Sequence, residues 1–233
     1  MREHNLVLRA GPVLVGLALL SGCAGEELAP PFPEGSGQDA VDVSSYPEGP
    51  YGINIGSKIA NYKFVGYSNA AVVDDALQEI HLSDFYNPDG NAMYAEEGRE
   101  VQYGAGMAKP KALLIVVSSV WCGPCNYEAD EVLPVKYEKH KPLGGEYLLQ
   151  LADGPTPGAP AGQKELYRWT DKYDVNYPSA IDPSYKLGAL FSADAFPANM
   201  IIDTRDMSIV EVVAGSPNAS FWKKFEKVID GTL

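Results

Sequence analysis

The chain has 233 residues, 45% of them hydrophobic and 21% charged, enough to bury the core of one large domain or of one domain with tails. Its formal charge of −13 excludes an electrostatic grip on nucleic acid or on anionic lipid, and fits a soluble exported protein. Three cysteines are too few for a disulfide framework, and only two of them, Cys122 and Cys125, lie close together.

Arg2 and Arg9 precede an apolar run from Ala10 to Leu20, followed by Ser21 and Gly22 before Cys23. A basic start, about eleven apolar residues and a small-residue site describe a secretory signal over residues 1–22, not a membrane span of about twenty. The run Leu20-Ser21-Gly22-Cys23 resembles the bacterial lipobox. That resemblance implies cleavage before Cys23, lipidation of Cys23 and attachment to a membrane of the cell envelope, facing the periplasm or the exterior. Ala24 rather than Asp follows, which in enteric bacteria favours the outer membrane. Cleavage would leave 16 basic and 30 acidic side chains, a charge of −14. Residues 23–50 are rich in Pro, Gly, Ser and acid and read as a flexible tether spanning on the order of 30 Å.

The globular domain is expected over residues 51–233. Tyr62–Tyr67 predicts a strand and Glu79–Phe85 a second extended piece. Asn87-Pro88-Asp89-Gly90 opens a polar loop that runs to Lys109. Ala112–Ser118 is a continuous apolar run with β-branched residues, the pattern of a central strand covered by helices on both sides. Pro124 to about His140 has helical spacing, with Pro134 expected to kink it or end its regular part. A strand over Glu146–Leu151, a helix over Gln163–Tyr173, an extended Pro178–Pro183 and a short helix over Tyr185–Phe191 follow. Met200–Asp203 and Ile209–Val213 predict strands joined by Thr204-Arg205-Asp206, and a last amphipathic helix starts at Asn218 or Ser220. The alternation of strand and helix indicates an α/β sandwich with a mixed sheet.

Trp121-Cys122-Gly123-Pro124-Cys125 follows directly on the apolar strand and opens a helix. At a helix N-terminus, unpaired amides and the helix dipole favour a thiolate at Cys122, which makes it the nucleophile. Pro124 suits an early helical position, where its missing N–H is no loss. Cys125, one turn further in, is expected to be more buried and to act as the resolving thiol. Zinc needs about four ligands, and His81 and His140 are far off in the chain, so no metal is expected. A purely structural disulfide would gain little from closing so short a loop.

Trp-Cys-Gly-Pro-Cys after an apolar strand is the active-site motif of thioredoxins, and the exported setting resembles the tethered TlpA/ResA-type redoxins. The match runs from about Tyr51 to Gly231. It is carried by the motif, Glu128, Tyr177-Pro178 through Asp182-Pro183, and Ala195-Phe196-Pro197 leading into Met200-Ile201-Ile202-Asp203. The resemblance implies a thioredoxin-like three-layer α/β/α sandwich with a central mixed sheet, extra N-terminal strands and an insertion between the central strands.

It also implies an exported protein-disulfide reductase without a cofactor. Its partners would be disulfide-containing envelope proteins and a membrane electron donor. Pro197 would be the family's cis-proline, packed against the thiols, excluding metal and leaving the Phe196 backbone to pair with an extended substrate beside Gly123 and Pro124. Glu128 would assist proton transfer, or else be a solvated carboxylate in the helix's first turns. Trp121 would shape the rim. Two positions depart from the thioredoxin pattern: Val116 stands where a buried acid is usual, and Asp130 where a helix proline is usual. A thiol peroxidase of the same superfamily would want a Thr/Pro loop that is missing around Cys122. A copper-delivery chaperone would want cysteines four apart and a distant histidine ligand.

Overall fold

The computed structural model describes residues 46–69, 76–182, 184, 186–189 and 195–233. The expected signal, Cys23 and most of the tether lie outside these residues, as does much of the short helix expected over Tyr185–Phe191, of which a 3-10 turn over Lys186–Ala189 is described. The packed chain reaches back to Tyr46, ahead of the boundary expected at Tyr51. Tyr46 is buried and its hydroxyl donates to the Ile59 carbonyl at 2.8 Å.

Among the described residues seven strands form one mixed sheet: β1 (Lys63–Tyr67), β2 (Gln78–His81), β3 (Ala112–Ser119), β4 (Gly145–Asp153), β5 (Ser179–Ile181), β6 (Ala198–Asp203) and β7 (Ser208–Ala214). Their order is β2-β1-β5-β4-β3-β6-β7. β3, β4 and β5 run parallel; β1 is antiparallel to both β2 and β5, and β6 is antiparallel to both β3 and β7. The extended piece expected over Glu79–Phe85 ends as a strand at His81 and turns into a 3-10 helix, Leu82–Phe85. The Asp84 carboxylate accepts the His81 backbone N–H there at 2.9 Å, and this cap closes the turn. Gly66 allows β1 to lie against β5, since a Cβ on it would stand 2.1 Å from the Ser179 carbonyl oxygen.

The helices are α1 (Gly123–Tyr127), α2 (Leu133–His140), α3 (Gln163–Lys172) and α4 (Ala219–Asp230), with a π-helical stretch, Glu128–Val132, between the first two. Pro134 accounts for that stretch: it cannot donate, and its ring would crowd the carbonyl four residues back. The ladder widens there, and the Leu133 N–H reaches the Glu128 carbonyl. α4 is capped by Asn218, whose Oδ1 accepts from Ser220 N and Phe221 N, and ends on Gly231 in the left-handed conformation.

β3, β4 and β5 succeed one another in a single direction across the sheet, so crossovers of one hand lay α1, α2 and α3 on the same face. There Val116, Cys125, Leu133, Trp169 and Tyr177 pack with Phe221, Trp222 and Phe225 of α4 in one core. On the opposite face Leu113, Ile115, Leu148 and Met200 pack against Ile59, Tyr62, Phe85 and Leu187. Among the described residues that layer is made by the N-terminal segment and 3-10 turns, not by α-helices as expected for both sides of the central strand. β3 is therefore buried along its whole length, which is why its sequence does not alternate. Among the described residues no helix is long and apolar enough to cross a membrane.

Candidate active site

β3 leads straight into the thiol motif. Cys122 is the N-cap of α1, with extended backbone, and Pro124 occupies the first turn. The two sulfurs are joined in a disulfide, with the Cα atoms 5.2 Å apart. The Cys122 sulfur accepts the Cys125 backbone N–H at 3.1 Å, so one of the four amides that a helix start leaves unpaired is aimed at it. Both cysteines are buried, Cys122 at 3% exposure and Cys125 at none, whereas Gly123 and Pro124 between them face solvent. The expected difference in burial between the thiols is thus slight in the oxidised state.

The rim is aromatic. Trp121 is 40% exposed and meets Phe196 edge to face, with the centroids 6.0 Å apart. Its indole Nε1 donates to Asp153 Oδ2 at 2.8 Å, at the end of β4, and the same oxygen accepts the Gly158 N–H. The Phe196–Pro197 bond is cis, Pro197 is buried, and its carbonyl accepts the Gly215 N–H. Asn126 clamps the helix start from the other side: Nδ2 donates to the Cys122 carbonyl at 2.6 Å and to the Val120 carbonyl at 3.1 Å. Its Oδ1 in turn accepts from the Tyr173 hydroxyl and from Lys172 Nζ.

Glu128 is not the solvated carboxylate that was one of its two readings. It is 0% exposed, in the π-helical stretch one turn beyond Cys125. Burial pushes its carboxyl up to about 7, opposed only by a hydrogen bond from Asn199 Nδ2 to Oε1 at 3.1 Å. Asn199 lies on β6 opposite Val116. Three residues escaped the reading of the motif: Asn126, Asp153 and Asn199. The last two left a signal, a polar side chain in or at the end of an otherwise apolar strand.

No family model matches the chain. Over 107 residues it is 27% identical to thiol-disulfide oxidoreductase ResA of Bacillus cereus, a stretch that is 46% of this chain. The chain spans 57% of that relative's length. Among solved structures, one described as a thiol:disulfide interchange protein DsbE from Chlorobium tepidum superposes with a TM-score of 0.52 at 15% identity, covering 78% of this chain and 99% of the other. One described as a protein disulfide isomerase from Bacteroides thetaiotaomicron gives 0.53 at 17% identity, covering 77% and 92%. At such identities the structural likeness establishes a shared fold. The strand order, a disulfide at the start of the helix after a buried strand, and these likenesses together show a thioredoxin-like fold, in a chain that resembles thiol-disulfide oxidoreductase ResA over the matched stretch.

Proposed function

We propose that this protein is an exported thiol–disulfide oxidoreductase that reduces protein disulfides through Cys122 and Cys125. One observation carries the reading: the Cys122–Cys125 disulfide sits at the mouth of a helix, with the Cys125 amide directed at the Cys122 sulfur. In the reduced protein that amide and the first-turn dipoles stabilise a Cys122 thiolate. The thiolate attacks one sulfur of a substrate disulfide, and the other sulfur leaves as a thiolate that takes a proton from solvent. Cys125 then gives its proton to the Glu128 carboxylate and attacks the Cys122 sulfur of the mixed disulfide, expelling the second substrate sulfur. The substrate gains two electrons, and the protein ends as the Cys122–Cys125 disulfide. A carboxyl at about 7 exchanges protons readily near neutrality, which suits Glu128 to that step.

In this reading the rim of Trp121, Phe196, Gly123 and Pro124 receives an extended segment of the partner, and Pro197 against the thiols keeps metal away. Cys23 carries lipid, residues 24–45 tether the domain, and the substrates are disulfide-containing envelope proteins. An oxidising compartment would hold the pair as a disulfide, so sustained reduction draws electrons from a membrane dithiol donor.

Reduction of insulin by the full chain with a dithiol donor tests the activity. Cys122→Ser is expected to fall to the uncatalysed rate, and Cys125→Ala to accumulate partner protein joined to Cys122. Undiminished turnover by Cys122→Ser sinks the reading.

A further inference from the structure

Glu128 and Asn199 share a feature that the exchange scheme does not use. Both are fully buried and joined by one hydrogen bond, Nδ2 to Oε1. Their other oxygens, Glu128 Oε2 and Asn199 Oδ1, are buried without any hydrogen-bond partner. Two acceptors cannot satisfy each other, and a carboxylate has no donor to offer. A neutral carboxyl does. One proton on Oε2 turns it into a donor to Oδ1, and the single bond becomes a two-bond acid–amide pair that leaves neither oxygen orphaned.

We propose that Asn199 is a positioning residue for proton transfer at Glu128, its carboxamide accepting through Oδ1 the proton that Oε2 carries and donating through Nδ2 to Oε1. When Cys125 loses its proton, Glu128 Oε2 gains it, and Asn199 gains the hydrogen bond that holds it there. The direction in which burial moves the Glu128 carboxyl agrees with a site where the neutral form is well accommodated. Among the described residues no cation acts on the Glu128 carboxyl. The titratable groups around Glu128 are the thiols of α1, Tyr147 of β4 and Tyr177 ahead of β5, both tyrosines raised in part by its charge. Tyr137, Glu146 and Glu226 stand around Tyr147 further out, and Val116 of β3 faces Asn199 across the ladder. The pair links the strand that begins just after Pro197 to the helix that carries the thiols.

The consequence for rate rests on the oxidoreductase reading; the pairing does not. It is therefore tested first in the oxidised full chain, where the thiols cannot titrate, by carbon NMR of the Glu128 carboxyl and proton NMR of the Asn199 side-chain amide. The amide signals are expected to move with the same midpoint as the carboxyl, near 7, and to lie flat in Glu128→Gln. Asn199→Leu is expected to lower the carboxyl midpoint by about one pH unit, because it removes the bond that only the neutral acid makes; a raised midpoint, the mark of a bond that serves the charged form alone, overturns the proposal. Amide signals that ignore the carboxyl overturn the proposal even if Asn199→Leu does not fold; an unmoved midpoint in folded Asn199→Leu overturns it as well. In disulfide reduction, Asn199→Leu should shift the acid limb of the pH–rate profile downward by the same amount, and add nothing to Glu128→Gln. A slower enzyme with an unshifted profile marks a merely structural role and also overturns it. A coupled titration in a protein that reduces no disulfide removes the function and leaves the pair standing.

Discussion

Two carboxylates of the described domain are wholly withdrawn from water, and they are provided for in opposite ways. Asp84, beneath the N-terminal hairpin, accepts at Oδ2 from the Arg99 guanidinium, from the Tyr103 hydroxyl at 2.8 Å and from the His81 backbone N–H at 2.9 Å. Glu128, beneath the thiol helix, has one neutral amide and no cation. A carboxylate held by three donors, one of them charged, serves to lock chain segments together. A carboxylate left almost without donors holds its proton near neutral pH and can pass it on. In the exchange proposed above, the contrast is between an acid that holds the structure and one that carries a proton.

The widest gap between the two should show in stability. Asp84→Ala leaves Arg99 and the buried Tyr103 hydroxyl without their shared acceptor, and is expected to cost roughly 3–5 kcal/mol. Arg99 is part-exposed and can turn to water, which favours the lower end. Urea unfolding checks this, and the folded fraction should reduce insulin at the wild-type rate. A loss below about 1 kcal/mol would erase the distinction.

Glu128→Gln should act with the opposite sign. The folded carboxyl sits at about 7 against an ordinary value of 4.5, so between these pH values the folded state holds a proton that the unfolded chain releases. The stability contributed by the neutral acid is complete below about 4.5 and is lost as pH rises through about 7. At 1.36 kcal/mol per pH unit the loss is about 3 kcal/mol. Glutamine carries no charge, so unfolding midpoints should show Glu128→Gln more stable than wild type at pH 8 by about 2 kcal/mol, and no more stable at pH 4, while turnover near neutral pH drops. A pH-independent difference would show that Glu128 titrates normally.

The two acids also differ in how much of their role could be read from the chain. The thiol motif, the apolar run of β3, the turn before β7 and the Asn218 cap are local patterns, and local patterns of turn residues and periodicity are legible. Glu128 was visible by its spacing from Cys125, but its burial was not, because the π-helical stretch that turns it inward follows from Pro134 six residues on. Asn199 lies 71 residues away, and only the ladder between β3 and β6 brings the two together. For Asp84, the expected strand ran through a residue that in fact caps its own turn, and the partner Arg99 opens a 3-10 helix, Arg99–Tyr103, inside the stretch expected as a polar loop. The cis Phe196–Pro197 bond is equally illegible from its own residues, since X–Pro bonds favour trans.

Asp153 completes the series as a buried acid at the rim, and it predicts the smallest effect. Its Oδ2 holds both the Trp121 indole N–H and the Gly158 amide. Trp121→Phe removes the first and leaves the second, so the carboxylate keeps a donor and the stability cost should be only about 1 kcal/mol. A phenyl ring still offers an edge to Phe196, and no step of the exchange passes a proton through the indole. Exchange with a small disulfide should therefore change by less than about twofold, since the bond lost does not touch the reacting sulfurs. Exchange with insulin, which must lie across the rim, should slow more. A tenfold loss with the small disulfide would mean that Asp153 acts on the thiols through Trp121, and would move it from the structural acids to the side of Glu128.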